Sequence, residues 1–444
     1  MTPFLSEDDL ASFPPVSAYQ RALAAFDTLA RAERPQPWFA VRSREDVLVD
    51  AKAVDERGRT GDRLPLAGVL VAVFDDAVVR QRLESAGAVV LGTASRHAAT
   101  TGFTLGAADA VVCRSLPAEC HGVVALRPTR GLVPSPGDGQ AVVLARDIDV
   151  AQRTAAAMTG PEDTDPGCRP WPGSVRFSAG EHPRVAVPAE ADLAGLPPSA
   201  RHAFGVTADA LRAAGAAVSP LELSAAIGAW TARPATALRG HDALLMPLAG
   251  TSPAFCDLVE ALDVAAVAFD DGAPAGAGVL ARAFDDQVAL DLVALLTGAQ
   301  ADTPYPSGGV ELAVTGAYLR GQPLNEELTR LGARCTGFAE TAPAYRMVAL
   351  PGEPPQAGLV HAGRDGVALL TERWLVSPAG LGRFLADLPA PLLLGGIELA
   401  DGGTVTGVLC DPRAARQGTD ISEYGCWRAY LRHRSTFRPQ RTAS

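Results

Sequence analysis

A glycine-bounded segment in the second half of the chain, Gly316-Ala-Tyr-Leu-Arg-Gly321, has the composition of a ligand-binding loop. Glycine adopts backbone conformations that other residues avoid, so Gly316 and Gly321 allow peptide N–H groups to point toward a bound group. Such N–H groups favour hydrogen-bond acceptors, above all anions. The sequence therefore predicts ligand-binding residues at Gly316, Ala317, Tyr318 and Leu319.

Two arginines in the same half could complete an anion pocket at this loop. Arg346 and Arg428 each offer a guanidinium that binds a carboxylate through two parallel hydrogen bonds. Two guanidinium groups in one pocket repel each other without a counter-charge, so the ligand is expected to be a small anion. The residues that could fix its orientation are Tyr318, Tyr345 and Asn325.

The alternative is that these side chains are structural. Tyr345, Trp427 and Tyr430 would then be core aromatics, and the arginines would pair with carboxylates such as Glu398 or Asp420. Taken one residue at a time, this second interpretation is the more common outcome in folded proteins. Residue types alone leave both interpretations open.

Composition narrows the possible partners. The net charge is -11 over 444 residues and no run of Lys or Arg interrupts it, so nucleic acid is not an expected partner. No apolar run approaches the ~18 residues of a membrane span, and the N-terminus lacks a signal-peptide pattern, so we expect a cytoplasmic protein without a membrane partner. The seven cysteines are scattered, and we predict no disulfide framework, metal site or cofactor.

The pattern of apolar residues divides the chain into two domains. Residues 1–305 alternate buried strand-like runs with helix-like stretches, which predicts an α/β domain with a mostly parallel sheet covered by helices. A Pro/Gly-containing linker is expected at 306–311 and a tail at 435–444. Residues 312–434 contain short strands and one clear helix, Ser377–Leu388, which predicts a small α+β domain. We expect residues 306–444 to fold alone, with a protease-sensitive site between about 300 and 312.

Six segments between residues 312 and 434 resemble, in order, the C-terminal domain of the allophanate hydrolases. They begin at Val314, Thr341, Leu350, Gly382, Gly396 and Asp420. The resemblance implies a small barrel of the γ-glutamylcyclotransferase type, with Gly316–Gly321 as the loop at its pocket. It also implies a role in decarboxylating the N-carboxycarbamate that the first domain of that family produces. Typical members have histidine where this chain has Tyr318. As a catalytic candidate Tyr318 is a poor proton shuttle, because the ordinary pKa of a phenol is about 10.

Roughly residues 20–300 resemble the amidase signature family. The matching segments are Gly87–Gly92, Gly122–Gly131 and Asp242–Pro247. In that family the strand corresponding to Gly68–Val73 ends in the lysine that moves protons in a Ser–Ser–Lys triad. Here Phe74 stands at that position, and Lys52 is the only lysine of the chain. We interpret Phe74 as the marker of a lost site and expect it to be buried, with this domain acting as a scaffold and platform for a homodimer.

The same resemblance places Cys113 at the nucleophile position of the amidases. Cys113 could be a replacement nucleophile with His121 or His97 as its base. The alternative is a small buried residue left over from the lost site. The Gly/Ser-rich loop that would build the oxyanion hole is missing, because Thr101-Gly102 leads almost directly into Phe103.

Two functions are about equally compatible with these sequence features. In the first, the C-terminal pocket acts on a small carboxylated or carbamoylated nitrogen compound. In the second, the protein is a non-catalytic pseudoenzyme that binds a ligand or a partner enzyme. An ordinary allophanate hydrolase is a less favoured alternative, because the lysine of the amidase triad is missing. A cysteine-dependent amidase is the other less favoured alternative.

Overall fold

The computed structural model describes residues 17–31, 39–94, 106–114, 122–135, 139–223, 238, 240–248, 259, 262–270, 276–299, 303–352 and 355–436. The chain forms two compact units. The first unit comprises Met1–Pro170 and Arg184–Tyr305, and the second comprises Trp171–Pro183 and Pro306–Ser444. Among the helices described here, none is long and apolar enough to cross a membrane.

The first unit contains a sheet of eleven strands in the order β1-β3-β2-β4-β6-β5-β10-β11-β9-β7-β8. Its strands are β1 (Phe39–Val41), β2 (Leu70–Val73), β3 (Val89–Ala94), β4 (Ala110–Cys113), β5 (Val124–Arg127), β6 (Val142–Ala145), β7 (Arg184–Pro188), β8 (Ala217–Leu221), β9 (Ala243–Pro247), β10 (Val264–Phe269) and β11 (Ala277–Arg282). Its helices are α1 (Ala18–Arg31), α2 (Arg44–Arg59), α3 (Ala77–Ser85), α4 (Ile148–Met158), α5 (Glu190–Leu193), α6 (Pro198–Ala213) and α7 (Asp286–Thr297).

The α/β class predicted from the sequence is confirmed, but the sheet is mixed rather than mostly parallel. Of the ten neighbouring strand pairs, four are parallel and six are antiparallel. The parallel pairs join β2 to β3 and β4, and β7 to β8 and β9. Strands β2, β4, β5 and β6 are buried along their whole length, and helices α2, α4 and α7 pack on the sheet. Strands of a sheet covered in this way consist largely of apolar residues, whether they are parallel or antiparallel to their neighbours.

The second unit contains two smaller sheets. Its strands are β12 (Val310–Val314), β13 (Arg334–Glu340), β14 (Tyr345–Leu350), β15 (Gln356–His361), β16 (Leu370–Val376), β17 (Leu392–Glu398), β18 (Thr404–Cys410) and β19 (Thr419–Asp420). Five form the sheet β13-β16-β12-β18-β17 and three form the sheet β15-β14-β19. Its helices are α8 (Asn325–Arg330), α9 (Pro378–Asp387), α10 (Pro412–Ala415) and α11 (Trp427–Thr436). The small barrel implied by the resemblance thus takes the form of two sheets that pack together through β15 and β18.

The helix predicted around Ser377–Leu388 is present as α9. The hydroxyl of Ser377 accepts a hydrogen bond from the N–H of Gly380 at 3.1 Å, and Pro378 occupies the first turn. Both features are typical of helix starts, because they satisfy or remove N–H groups that have no partner within the helix. Phe384 on this helix is buried in the core of the second unit.

The segment Trp171–Pro183 packs with the second unit, although the sequence analysis placed it in the first domain. Phe177 in this segment is fully buried, and its N–H donates to the carbonyl of Gly332 at 2.8 Å. The N–H of Ala379 donates to the carbonyl of Gly173 at 2.8 Å. We call this segment the strap. The compact second unit therefore includes residues that lie more than a hundred positions before its first strand.

Candidate functional site

The glycine loop of the second unit follows β12 and begins with a single 3-10 turn, Gly316–Tyr318. Gly316 has a φ of +70°, and a Cβ atom there would lie 2.8 Å from the backbone nitrogen of Ala357, so only glycine fits. Gly321 also has a positive φ, of +73°, but open space around it. Ala317, Tyr318 and Leu319 are all buried. The first four residues of the predicted loop are therefore enclosed, whereas Arg320 and Gly321 are exposed.

Tyr318 lies within this element with a hydroxyl group that has no protein partner. The side chain is 1% exposed, and among the residues that the structure describes nothing accepts from or donates to its hydroxyl. Its ring packs edge-on against Phe384 with 5.1 Å between centroids. Burial raises the pKa of the phenol, and the charge of Glu327 raises it further. A proton on this hydroxyl is therefore held even more firmly than on an ordinary tyrosine.

Asn325 and Thr315 flank the loop. The Nδ2 atom of Asn325 donates to the carbonyl of Tyr318 at 2.9 Å, so this buried side chain holds the loop in place. The hydroxyl of Thr315 is buried and, like that of Tyr318, has no partner within the described part of the chain. Unsatisfied buried hydroxyls each cost about 1–3 kcal/mol, so two beside one short turn indicate a place prepared for another polar group.

Glu372 on β16 is the buried charge of this region, and the sequence analysis did not single it out. It is 1% exposed and accepts three hydrogen bonds. The donors are the N–H of Arg320 at 2.9 Å, the Nε1–H of Trp374 at 3.3 Å and the Nη2–H of Arg428 at 2.7 Å. Alternation along β16 places Glu372 on the same face as Trp374 and Val376. This alternation is the sequence pattern that could have identified Glu372 as a buried residue.

Arg428 contacts both Glu372 and the glycine loop. Besides pairing with Glu372, its Nη2 donates to the carbonyl of Arg320 at 2.8 Å. Arg428 therefore contacts the predicted loop, as expected, but its charge is met by a carboxylate of the protein. Trp427 beside it is buried and packs on Tyr430 at 5.3 Å, in agreement with the core-aromatic interpretation of these two residues.

The structure places Arg346 apart from Tyr345, on the other face of β14. Tyr345 is buried and its hydroxyl accepts from the N–H of Glu398 at 2.9 Å, whereas Arg346 is exposed. Arg346 donates to the carbonyl of Asp365 at 3.0 Å and pairs with Asp420 at 3.5 Å. The pairing with Asp420 is the structural alternative considered above. Because both arginines have carboxylate partners, the premise that two uncompensated guanidinium groups require an anionic ligand is wrong.

Phe74 of the first unit is buried where the amidase resemblance expects a lysine. It follows β2, and the guanidinium carbon of Arg114 lies 4.4 Å from its ring centroid. Arg114 also pairs with Asp76 at 3.3 Å, and Asp76 caps helix α3 by accepting from Val79 N–H at 3.0 Å. A cation over an aromatic face and a nearly buried ion pair thus occupy this position.

Cys113 ends β4, the strand that pairs with β2. Its side chain is 1% exposed, and its Sγ donates to the carbonyl of Val142 at 3.7 Å. The proposed bases His97 and His121, and the shortened loop around Thr101–Phe103, lie outside the described residues. The burial of Cys113 favours the interpretation as a packing residue, because a nucleophile must be reachable by substrate.

Asp286 in the first unit is a second buried carboxylate that the sequence analysis did not single out. It accepts from the N–H of Thr129 at 2.7 Å and from the hydroxyl of Thr129 at 2.5 Å. Burial raises the pKa of Asp286 to about 7, although these hydrogen bonds act in the opposite direction. Thr129 belongs to the Arg-Pro-Thr-Arg-Gly segment matched to the amidases, so that motif here anchors helix α7.

Comparison with known proteins agrees with both units. Residues 310–432 match the family model of the allophanate hydrolase C-terminal domain. The chain superposes on the allophanate hydrolase of Kluyveromyces lactis with a TM-score of 0.74 at 20% identity, covering 97% of this chain and 99% of that one. A bacterial aryl acylamidase of the amidase signature family covers 64% of this chain and 93% of its own at a TM-score of 0.51 and 12% identity.

A curated relative extends the comparison to a longer protein. The urea amidolyase of Lachancea kluyveri is 30% identical over 213 residues, which is 41% of this chain and 12% of that protein. The chain thus matches about an eighth of the length of that relative. These matches confirm the resemblance: the chain has the fold of the allophanate hydrolases, and residues 310–432 of its second unit are similar to the C-terminal domain of that family.

Proposed function

We propose that this chain is an allophanate-hydrolase-like protein whose first unit does not hydrolyse amides. Its second unit would bind a small carboxylated or carbamoylated nitrogen compound at Gly316–Gly321. The relatives are named for urea amidolysis and allophanate hydrolysis, which supports this class of ligand. The observation that carries the proposal is the buried hydroxyl of Tyr318 without a partner, since a ligand is the natural group to satisfy it.

At the position where the amidase resemblance implies a lysine, the described part of the first unit offers no group that would move a proton. Phe74 supplies no acid or base, and the guanidinium of Arg114 lies over its ring. Cys113 is buried and donates to a backbone carbonyl. These contacts support a scaffold role for the unit rather than a replacement amidase.

Binding without turnover is the candidate that the loop favours. Tyr318 stands where the resemblance to the allophanate hydrolases implies a histidine, and burial raises the pKa of its phenol further from neutrality. A hydroxyl in that state can orient a ligand but exchanges protons poorly near neutral pH. Decarboxylation in the second unit therefore remains the second candidate.

Two measurements on the full chain test this function. With allophanate, ammonia release should stay at the rate without enzyme. Substantial release that Cys113→Ala abolishes would instead establish the cysteine-dependent amidase. Allophanate binding by calorimetry should be weakened about two- to tenfold by Tyr318→Phe, which removes one neutral hydrogen bond.

The same variant gives an internal control through stability. Because the Tyr318 hydroxyl is unsatisfied in the unliganded protein, Tyr318→Phe should leave the free energy of unfolding unchanged or raise it by about 1 kcal/mol. Tyr430→Phe, on a partly exposed tyrosine of the same unit, should change neither quantity. Unchanged affinity in Tyr318→Phe would remove the loop as the binding site.

A further inference from the structure

A cavity of about 470 Å³ lies in the first unit at the carboxyl end of β7. Pro188, the last residue of β7, lines it together with Leu193 of α5 and Pro198 in the first turn of α6. These three side chains give the cavity an apolar lining. Its volume falls within the range of about 300–1,000 Å³ that is typical of small-molecule sites.

This cavity is separate from the amidase centre that the resemblance implies. In the order of the sheet, six strands lie between β7 and β2, the strand that precedes Phe74. Neighbouring strands are about 4.8 Å apart, so β7 and β2 are roughly 30 Å from each other along the sheet. A ligand in the cavity would therefore lie outside that centre.

The order of the strands makes the end of β7 a favourable place for a ligand. β7 lies between β8 and β9 and is parallel to both. The chain passes from β7 to β8 on one side, and the next strand that the structure describes, β9, lies on the other side. In open α/β sheets, ligands bind in the crevice outside the carboxyl ends of the strands where the strand order reverses in this way.

Three side chains with charged or titratable groups complete the lining. Arg201 and His202 lie on α6, and Glu190 lies on α5. Among the residues that the structure describes, none of the three takes part in a hydrogen bond or an ion pair through its side chain. A guanidinium and a carboxylate thus line one cavity without neutralising each other.

The chemistry of these side chains indicates the class of ligand. The guanidinium of Arg201 can bind a carboxylate through two parallel hydrogen bonds, and the imidazole of His202 can donate a further N–H. The carboxylate of Glu190 accepts hydrogen bonds from an ammonium group. A molecule that carries both a carboxylate and an ammonium group meets both charges at once, and an aliphatic side chain suits the apolar part of the lining.

We propose that this cavity binds a free α-amino acid with an aliphatic side chain. Arg201 and His202 hold its carboxylate, Glu190 holds its ammonium group, and the apolar residues contact its side chain. The inference goes beyond the proposed function, because the cavity and the glycine loop belong to different units. It gives the first unit a binding role of its own besides that of a scaffold.

Calorimetry of the full chain with three matched probes tests the site. Leucine carries both charged groups, isocaproate is the same molecule without the ammonium group, and isoamylamine is the same molecule without the carboxylate. Leucine should bind about tenfold or more tightly than either analogue, in line with the loss of a hydrogen bond between charged groups.

Two substitutions distinguish the two ends of the ligand. Arg201→Gln should weaken the binding of leucine and isocaproate by about tenfold and leave that of isoamylamine unchanged. Glu190→Gln should weaken the binding of leucine and isoamylamine and leave that of isocaproate unchanged. Arg212→Gln is the matched control on the same helix, because Arg212 is exposed, pairs with Asp209 and does not line the cavity. It should leave all three affinities unchanged.

Equal affinities for leucine and isocaproate, with no effect of Glu190→Gln, would overturn the amino-acid assignment in favour of a simple anion site. Absence of leucine binding, or equal losses in Arg201→Gln and Arg212→Gln, would overturn the site itself. Allophanate binding should respond to Tyr318→Phe but not to Arg201→Gln. The failure of this inference is therefore distinguishable from the failure of the proposed function.

Discussion

At the scale of single residues, two buried carboxylates organise the two units in different ways. Glu372 is neutralised by Arg428 and by two N–H donors, whereas Asp286 receives hydrogen bonds from Thr129 alone among the described side chains. The pKa of Asp286 is raised to about 7, which indicates that burial outweighs those hydrogen bonds. One carboxylate therefore fixes a loop, and the other is expected to make the free energy of unfolding depend on pH.

Replacing Glu372 should loosen the loop and lower stability. Glu372→Gln removes the charge that compensates Arg428 and should lower the free energy of unfolding by about 2–3 kcal/mol, less than for a fully buried pair because Arg428 is partly exposed. Chemical denaturation measures this change. Glu311→Gln, on neighbouring β12 and paired with Arg373 near the surface, should change it by less than about 1 kcal/mol. Equal losses in both variants would contradict the role given to Glu372.

Asp286 should make the first unit less stable as pH rises. Its carboxyl has an unfolded pKa near 3.8 and a folded pKa of about 7, so the folded state binds the extra proton between these values. The stabilising contribution is complete below pH 3.8 and is lost as pH rises through 7. Three pKa units correspond to about 4 kcal/mol as an upper limit.

Denaturation of Asp286→Asn across this pH range checks the assignment. The variant cannot titrate at this position, so its stability should change less between pH 4 and 7.5, by roughly the contribution of one carboxyl. Asp209→Asn, on an exposed side chain, should retain the slope of the parent protein. The same pH dependence in the parent protein and in Asp286→Asn would show that Asp286 takes up no proton in the fold over this range.

At the scale of elements, the strap changes what counts as the second unit. Phe177 is fully buried, and a Cβ atom on Gly309 would lie 2.7 Å from its ring, so the start of β12 is shaped around this phenylalanine. Arg320 of the glycine loop also pairs with Glu181 of the strap at 3.3 Å. The strap therefore contacts both the core of the unit and its candidate binding loop.

A fragment of residues 306–444 should consequently be less stable than the sequence analysis predicts. Its unfolding transition should be weak or absent, and a synthetic peptide of residues 171–183 should restore it, because burying one phenylalanine contributes about 3–5 kcal/mol. A peptide with Phe177→Ala should fail to do so. Far-ultraviolet circular dichroism during thermal unfolding provides the measurement. A fragment that unfolds cooperatively and ignores the peptide would restore the original prediction.

At the scale of the whole molecule, the sequence predicted the α/β class of the first unit correctly, but it did not predict the relative directions of the strands. Apolar runs indicated buried strands alternating with helices in the first unit, but β5, β6 and β10 are antiparallel to their neighbours and yet are as fully buried as the parallel strand β2. Hydrophobicity records burial on two faces and not strand direction. Whole-chain resemblance therefore carried the fold further than local patterns did.

At the candidate site, too, local patterns predicted some features of the structure and missed others. The position of the glycine loop was suggested by glycine spacing and by the resemblance, whereas the burial of Tyr318 was not predicted. The opposite facing of Tyr345 and Arg346 was available from strand alternation. The pairing of Arg428 with Glu372 could not be predicted in this way, because the two residues are 56 positions apart. Contacts of that kind depend on how strands and helices are arranged, which no local spacing encodes.

The environment of Phe74 has a consequence for any attempt to place a base at this position. Arg114 lies over the ring and is paired with Asp76, so a lysine introduced at position 74 would place a second cation beside Arg114. Phe74→Lys alone should therefore destabilise the first unit, because a buried charge needs its own partner. The two positions are coupled, so a cation at position 74 would be tolerated only together with a compensating change at Arg114.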